Sequence, residues 1–176
     1  MKKLLEQIYI EEHDQKRLKL VSDYISNIFD NKSTAKQPEY IDEIKTLLLY
    51  DSYAEIRKLC VVRMCPHPKH DHNHIRLLHM AIMADANFAV RKLAIDQLAK
   101  VTEMENIAFL TALVAYSDDD ALARYAFDAS KEVVDPKNIN AFVNSIMSEL
   151  TEENSERRQW LWDFVGDNYY RNKNRR

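Results

Sequence analysis

Apolar residues recur along this chain three and four positions apart, the spacing that gathers them on one face of a helix. Tyr40, Ile44, Leu47 and Leu48 show it, and Ile75, Leu78, His79 and Ile82 repeat it. Ile107, Leu110, Leu113 and Val114 follow, then Ile139, Phe142, Val143 and Ile146. Between these segments run second stretches of the same period, with Ile56, Leu59, Cys60 and Arg63, then Val90, Leu93, Ala94 and Gln97. The pattern predicts helical pairs. Met1 to Phe29 predicts two more helices, the second lined by Leu18, Val21, Ile25 and Ile28. Start signals fall where the pattern needs them. Ser52-x-x-Glu55 reads as a capping box and Asp85 as an N-cap, while Thr102-x-x-Glu105 and Asp135-Pro136 open first helices. Residues 30 to 39 are polar and break the pattern. They read as a loop inside one array, because the roughly 30 residues before them are too few for a separate domain.

The pairs are copies of one another. Asp51-Ser-Tyr-Ala-Glu-Ile-Arg57-Lys-Leu-Cys aligns without gaps with Asp85-Ala-Asn-Phe-Ala-Val-Arg91-Lys-Leu-Ala and with Asp118-Asp-Asp-Ala-Leu-Ala-Arg124-Tyr-Ala-Phe. Each copy places an aspartate six residues before an arginine, and the arginines stand 34 and then 33 residues apart. A further 34 residues lead to Arg158 in a weaker copy with Glu152 at the aspartate position, and Glu11 with Arg17 forms a distant echo. Such a period is the signature of a helical repeat array.

The unit D-x-x-x-x-[IV]-R-x-x-[AC], opening the second helix of a pair, resembles the HEAT repeat family, in particular the short bacterial kind also found in phycobilisome lyases. The resemblance covers Tyr40 to Val165 and implies that Asp51, Asp85 and Asp118 form a structural ladder with Arg57, Arg91 and Arg124. Chemistry points the same way, since a guanidinium among apolar neighbours needs its five donors satisfied and a carboxylate can do so bidentately. A row of arginines gripping a polyanion is the lesser reading, because Ile56 and Val90 sit alongside. In the third copy Ala123 replaces the aliphatic residue, which alters the packing expected there.

Composition narrows the picture further. Gly166 is the one glycine and there are four prolines, too few for the hairpins of a β fold. With 25 basic and 28 acidic residues the net charge is −3, which carries no global polyanion signal. Val101 to Asp135 holds eight acidic residues against Arg124 and Lys131, and Arg171 to Arg176 is basic. A solvated face and a frayed tail account for both more simply than a binding site does. No stretch approaches the roughly 20 apolar residues of a membrane span. Glu6 and Gln7 interrupt the first apolar run, unlike a signal peptide. Cys60 and Cys65 would point about 140° apart on one helix, so a reducing, cytoplasmic setting is expected.

Candidate chemistry is sparse. Cys65, His67, His70, His72 and His74 crowd one inter-repeat segment, and zinc is a possible cofactor there. The spacing is not that of a standard finger, so a solvated loop with Asp71 or Asn73 capping the next helix outweighs it, and no cofactor is expected. His79 reads as a satisfied core histidine and Cys60 as a buried, inert thiol. Trp160, by register, faces inward and closes the end of the core. Trp160, Trp162 and Asp163 also supply the residue types of the HEAT-like alkylpurine DNA glycosylases, but the acidic third repeat opposes a DNA groove. No phosphate loop, nucleophile elbow or His-Glu-x-x-His pair is present.

The expected fold is thus all-α, a right-handed α-solenoid of about four HEAT-like pairs, formed by one domain spanning residues 1–176. Residues 1–29 are its N-terminal helical cap, 40–168 its repeats and 169–176 a basic tail. The expected function is a non-catalytic scaffold or adaptor binding a protein partner. Register places Lys58, Lys92, Asp96, Tyr125, Asp128 and Trp162 on the partner-facing surface. A nucleic-acid module using the basic tail is the alternative, and no membrane association is expected.

Overall fold

In the computed structural model residues 2–30, 38–63, 72–101 and 104–173 are described, and all regular structure among them is helical. The elements are α1 (Lys2–Ile10), α2 (Asp14–Asp30), α3 (Pro38–Tyr50), α4 (Ala54–Arg63), α5 (His72–Ala84) and α6 (Phe88–Ala99). They continue as α7 (Met104–Tyr116), α8 (Asp120–Val133), α9 (Ile139–Met147) and α10 (Ser155–Lys173), with single 3-10 turns at Pro136–Asn138 and Glu152–Asn154. No described helix is long and apolar enough to cross a membrane.

The chain divides into two compact units, Met1–Gln97 and Leu98–Arg176. In the first, α1 packs on α2 and α3 on α4, while α2 lies against α4 and α3 against α5. In the second, α7 packs on α8, α9 on α10, and α7 against α9. Each unit therefore sets first helices beside first helices. The sealed side chains follow the 3.6-residue period: Val21, Ile25 and Ile28 on α2, Ile44, Leu47 and Leu48 on α3, and Leu78 and Ile82 on α5. Leu110, Leu113 and Val114 on α7 and Phe142, Val143 and Ile146 on α9 do the same in the second unit. The second helices turn slightly from the expected face. Leu59 and Leu93 are half-buried and Arg63 is exposed, while Val61 and Ile95 are fully sealed. The side chain of Tyr40 lies outside the described residues.

With almost no glycine, the turns are closed by side chains. Among the described residues no backbone takes a positive φ, and Gly166 sits inside α10. Asp51 Oδ1 accepts from the Tyr53 amide at 2.8 Å and Asp85 Oδ1 from the Asn87 amide at 2.7 Å. These aspartates are turn residues three positions before the first residue of the helix, which corrects the expected N-cap at Asp85. Asn87 caps α6 instead, its Oδ1 accepting from the amides of Ala89 and Val90. The Ser52–Glu55 capping box does not form either. Helix α4 begins at Ala54, and Glu55 pairs with Lys58. Asp135 accepts from the Lys137 amide at the start of its 3-10 turn. The side chains of Thr102 and Glu105, and of Asp71 and Asn73, lie outside the described residues.

The same aspartates receive arginines from neighbouring pairs. Arg57 donates from Nε and from a terminal nitrogen to both oxygens of Asp85, at 2.7 and 2.9 Å. Its other terminal nitrogen bonds the carbonyls of Asp51 and Ser52 in its own turn. Arg17 repeats the device, reaching the Glu11 carbonyl behind it and the Asp51 carboxylate ahead. The faint N-terminal echo therefore makes a similar link, through one terminal nitrogen to Asp51 and with Nε buried and unbonded. Arg91 donates to the Ile82 carbonyl at 2.9 Å.

The third copy departs from the expected ladder. Here Ser117 Oγ accepts from the Asp119 amide, the role that Asp51 and Asp85 play in the earlier turns. The turn thus starts one residue earlier than the sequence alignment implies, and Ala123, which is buried, takes the arginine position. Arg124 is displaced to the surface, where it pairs with Asp128 on its own helix and lies 4.9 Å from the Trp160 ring centroid. Asp118 is exposed, and Asp119 caps α8. The bridging arginine comes from the last pair. Arg157, not Arg158, is buried and donates to the carbonyls of Val114, Ala115 and Ser117 and to Asp120 at 2.6 Å. Arg158 binds the Leu150 and Thr151 carbonyls of its own turn.

Two stability outcomes follow from these placements. Arg57→Ala leaves the Asp85 carboxylate, whose side chain is 4% exposed, without its partner, and should cost about 3–5 kcal/mol in urea unfolding. Arg124→Ala, at a half-exposed pair, should cost about 1 kcal/mol or less. Equal losses at the two sites would contradict the geometry. Gly166 has open space where a Cβ would stand. Gly166→Ala should therefore raise stability by roughly 0.5–1 kcal/mol, read as a higher melting temperature.

Candidate functional site

Helix α7 carries two faces. Leu110, Leu113 and Val114 are sealed in the core, whereas Ala108, Thr111, Ala112 and Ala115 form a second stripe at i, i+3, i+4 and i+7. Small side chains there leave a trough between α7 and α9. Ala141, Phe142 and Ser145 of α9 make the other wall, with Ile107 and Val134 at one end. The resulting open groove has a volume of about 560 Å³ and a mainly apolar lining. Its ends are polar. Asp135 and Asn138 stand at the amino-terminal end of α9, and Tyr116 and Glu149 at the opposite end. The Tyr116 hydroxyl donates to Glu149 Oε2. That bond holds the phenol above its ordinary range. Among the described residues no lysine or arginine lines the groove.

The residues placed on the partner-facing surface by register do not gather there. Lys58 is half-buried, bonds Glu55 at 2.7 Å, and lines a shallow depression with Leu18, Ser22, Leu59 and Val62. Lys92 and Asp96 are half-buried on α6. These three belong to the first unit. In the second unit Tyr125 is half-buried, and Asp128 lies between Arg124 and Lys131 at 3.3 and 2.5 Å. Trp162 is 61% exposed. None of the six lines the α7–α9 groove, which lies on first helices rather than second ones.

Trp160 is buried, as its register implied, and packs on Phe127 at a centroid distance of 6.3 Å. Phe164 meets the same Phe127 ring edge-on at 5.8 Å. Arg124 lies over the Trp160 ring and Lys131 lies 5.0 Å from the Phe127 centroid, so this cluster is roofed by cations. Trp162 is on the exposed side of α10, and Asp163 accepts from Gln159 at 2.7 Å. Trp160 therefore faces the core while Trp162 and Asp163 face outward.

Cys65, His67 and His70 lie outside the described residues, as does the side chain of His72, the first residue of α5. His74 is half-buried on α5. Among the described residues no three histidine, cysteine or acidic side chains gather as a metal site. Residues 174–176, with Arg175 and Arg176, and the side chains of 168–173 are likewise outside the described set. Tyr9, on α1, donates to Glu43 at 2.8 Å, and burial followed by that bond pushes its phenol up to about 12.

The groove was absent from the sequence reading, although a signal for it exists. Ala108, Thr111, Ala112 and Ala115 share the helical period of the core residues, but alanine and threonine score weakly as a face. No protein-family model matches the chain, and comparison with curated proteins and with solved structures finds no match either.

Cys60 is fully buried, and burial pushes its thiol up to about 12, with Asp51 adding to the effect. The thiolate is the nucleophile, so Cys60 should resist iodoacetamide at pH 8 in the native protein and react once urea unfolds it. Peptide mapping that finds Cys60 alkylated at native rates equal to those in urea would contradict the packing.

Proposed function

We propose that this chain is a HEAT-like α-solenoid acting as a non-catalytic adaptor for a protein partner. Arg17 and Arg57 each join the turn of one helical pair to the turn of the next, and Arg157 ties the last pair back to the α7–α8 turn, which supports the repeat reading. It also uses buried charge for architecture and leaves little for chemistry. The observation that carries the binding reading is the open groove between α7 and α9. Its lining is mainly apolar, its charged groups Asp135 and Glu149 stand at the ends, and none of the buried polar side chains Gln97, Asn106, Ser130 and Arg157 reaches it. Sites for small substrates usually pair an apolar wall with a few fixed polar anchors, whereas helical repeat arrays present extended surfaces to macromolecules. The neutral, buried Cys60 suits the reducing setting of a cytoplasmic protein.

Affinity capture on the full chain, with and without nuclease, tests this function. A stoichiometric protein that survives nuclease and rebinds the purified chain directly is the expected result. Recovery that depends on nucleic acid would overturn the adaptor reading and bring forward the basic residues Arg171 to Arg176.

A further inference from the structure

We infer that the α7–α9 groove is a docking site for one amphipathic, basic helix of a partner protein, an inference that rests on the adaptor reading above. Length, width and charge argue for that occupant. The groove follows α7 from Ile107 to Tyr116, about 14 Å at the helical rise, which matches two and a half turns of an incoming helix. Ala108, Ala112 and Ala115 on one wall and Ala141 on the other allow the close approach that packed helices need, roughly 8–10 Å between axes. An entering helix would present residues at i, i+3, i+4 and i+7 to Phe142 and the alanine walls, the usual mode of helix-in-groove recognition.

Charge then selects among such helices. Asp135 stands at one end of the groove and Glu149 at the other, both exposed. Lys137 is exposed in the adjoining turn but is not part of the lining. A helix with lysine or arginine near each end gains two complementary contacts, and an acidic helix meets repulsion at both. A small apolar ligand fits less well, because the trough is open and its polar groups sit at the rims. Tyr116 and Glu149 already bond each other there.

The test is selection of displayed amphipathic peptides of about 15 residues, enough to span the groove with a turn to spare, on the full chain. Ala112→Phe serves as counter-target. Ala112 is exposed, so the phenyl ring fills the trough without entering the core; circular dichroism and melting confirm that the variant folds. Selected peptides should carry lysine or arginine at both ends and bind the wild-type chain in fluorescence anisotropy. They should weaken about ten-fold or more on Ala112→Phe, the loss typical of a blocked anchor pocket. Glu149→Lys and added salt should weaken them further. Peptides that bind Ala112→Phe unchanged would overturn the groove assignment while leaving the adaptor reading intact. Groove-bound peptides indifferent to charge would overturn the basic partner. Failure to select any peptide would overturn the inference too, and uptake of anilinonaphthalene sulfonate by wild type but not Ala112→Phe would then mark a small-molecule pocket. Loss of the partner in nuclease-treated capture would instead sink the adaptor reading itself.

Discussion

A guanidinium shared between two turns is the constraint on which the described packing depends. Removing an arginine from water is tolerable only when nearly all its donors are met, and no single helical pair here can meet them. Arg57 divides its bonds between the carbonyls of its own turn and the carboxylate of the following pair. The charge is therefore satisfied only when neighbours are stacked. Each aspartate in turn serves two ends, closing its own turn through a backbone amide while holding the incoming arginine. Turn formation and pair-to-pair packing become one event, which favours cooperative folding within a unit.

That constraint explains what the sequence made legible. The aspartate–arginine spacing at Asp51–Arg57 and Asp85–Arg91 announces itself because both residues are needed at fixed places. The all-helical character was equally readable, since core residues such as Ile44, Leu78 and Val143 keep a period that no strand shares. Helix starts were less legible. Aspartate accepts an amide two or three residues on with equal ease, so the letters at Asp85 do not tell a turn from a cap, and Asn87 settles the matter only in three dimensions.

The third copy shows a different limit. Its three consecutive aspartates, Asp118 to Asp120, permit two registers, and the alignment with the earlier copies chooses the one that keeps Arg124 in line. The fold takes the other, because Leu122, Ala123 and Phe127 are then buried and Arg157 can bond the turn from the opposite side. One methyl group at Ala123 stands where the earlier copies have a guanidinium, and that exchange moves Arg124 onto Trp160. The groove is illegible in the sequence for a related reason. Apolar period identifies what a helix buries against its own pair, and a trough is defined by what small residues fail to fill.

The bridges also lie at one end of the helices only, in the turns inside each pair. The segments joining one pair to the next leave from the other end of α2 and α4. Forty residues separate Arg17 from Arg57, but 34 separate Arg57 from Arg91, and Arg17 and Arg57 nonetheless each bond a carbonyl of their own turn and a carboxylate of the next pair. Length can accumulate between one pair and the next without disturbing the stitching, which makes those joins the natural place for the chain to acquire new sequence, as the longer interval from Arg17 to Arg57 already illustrates.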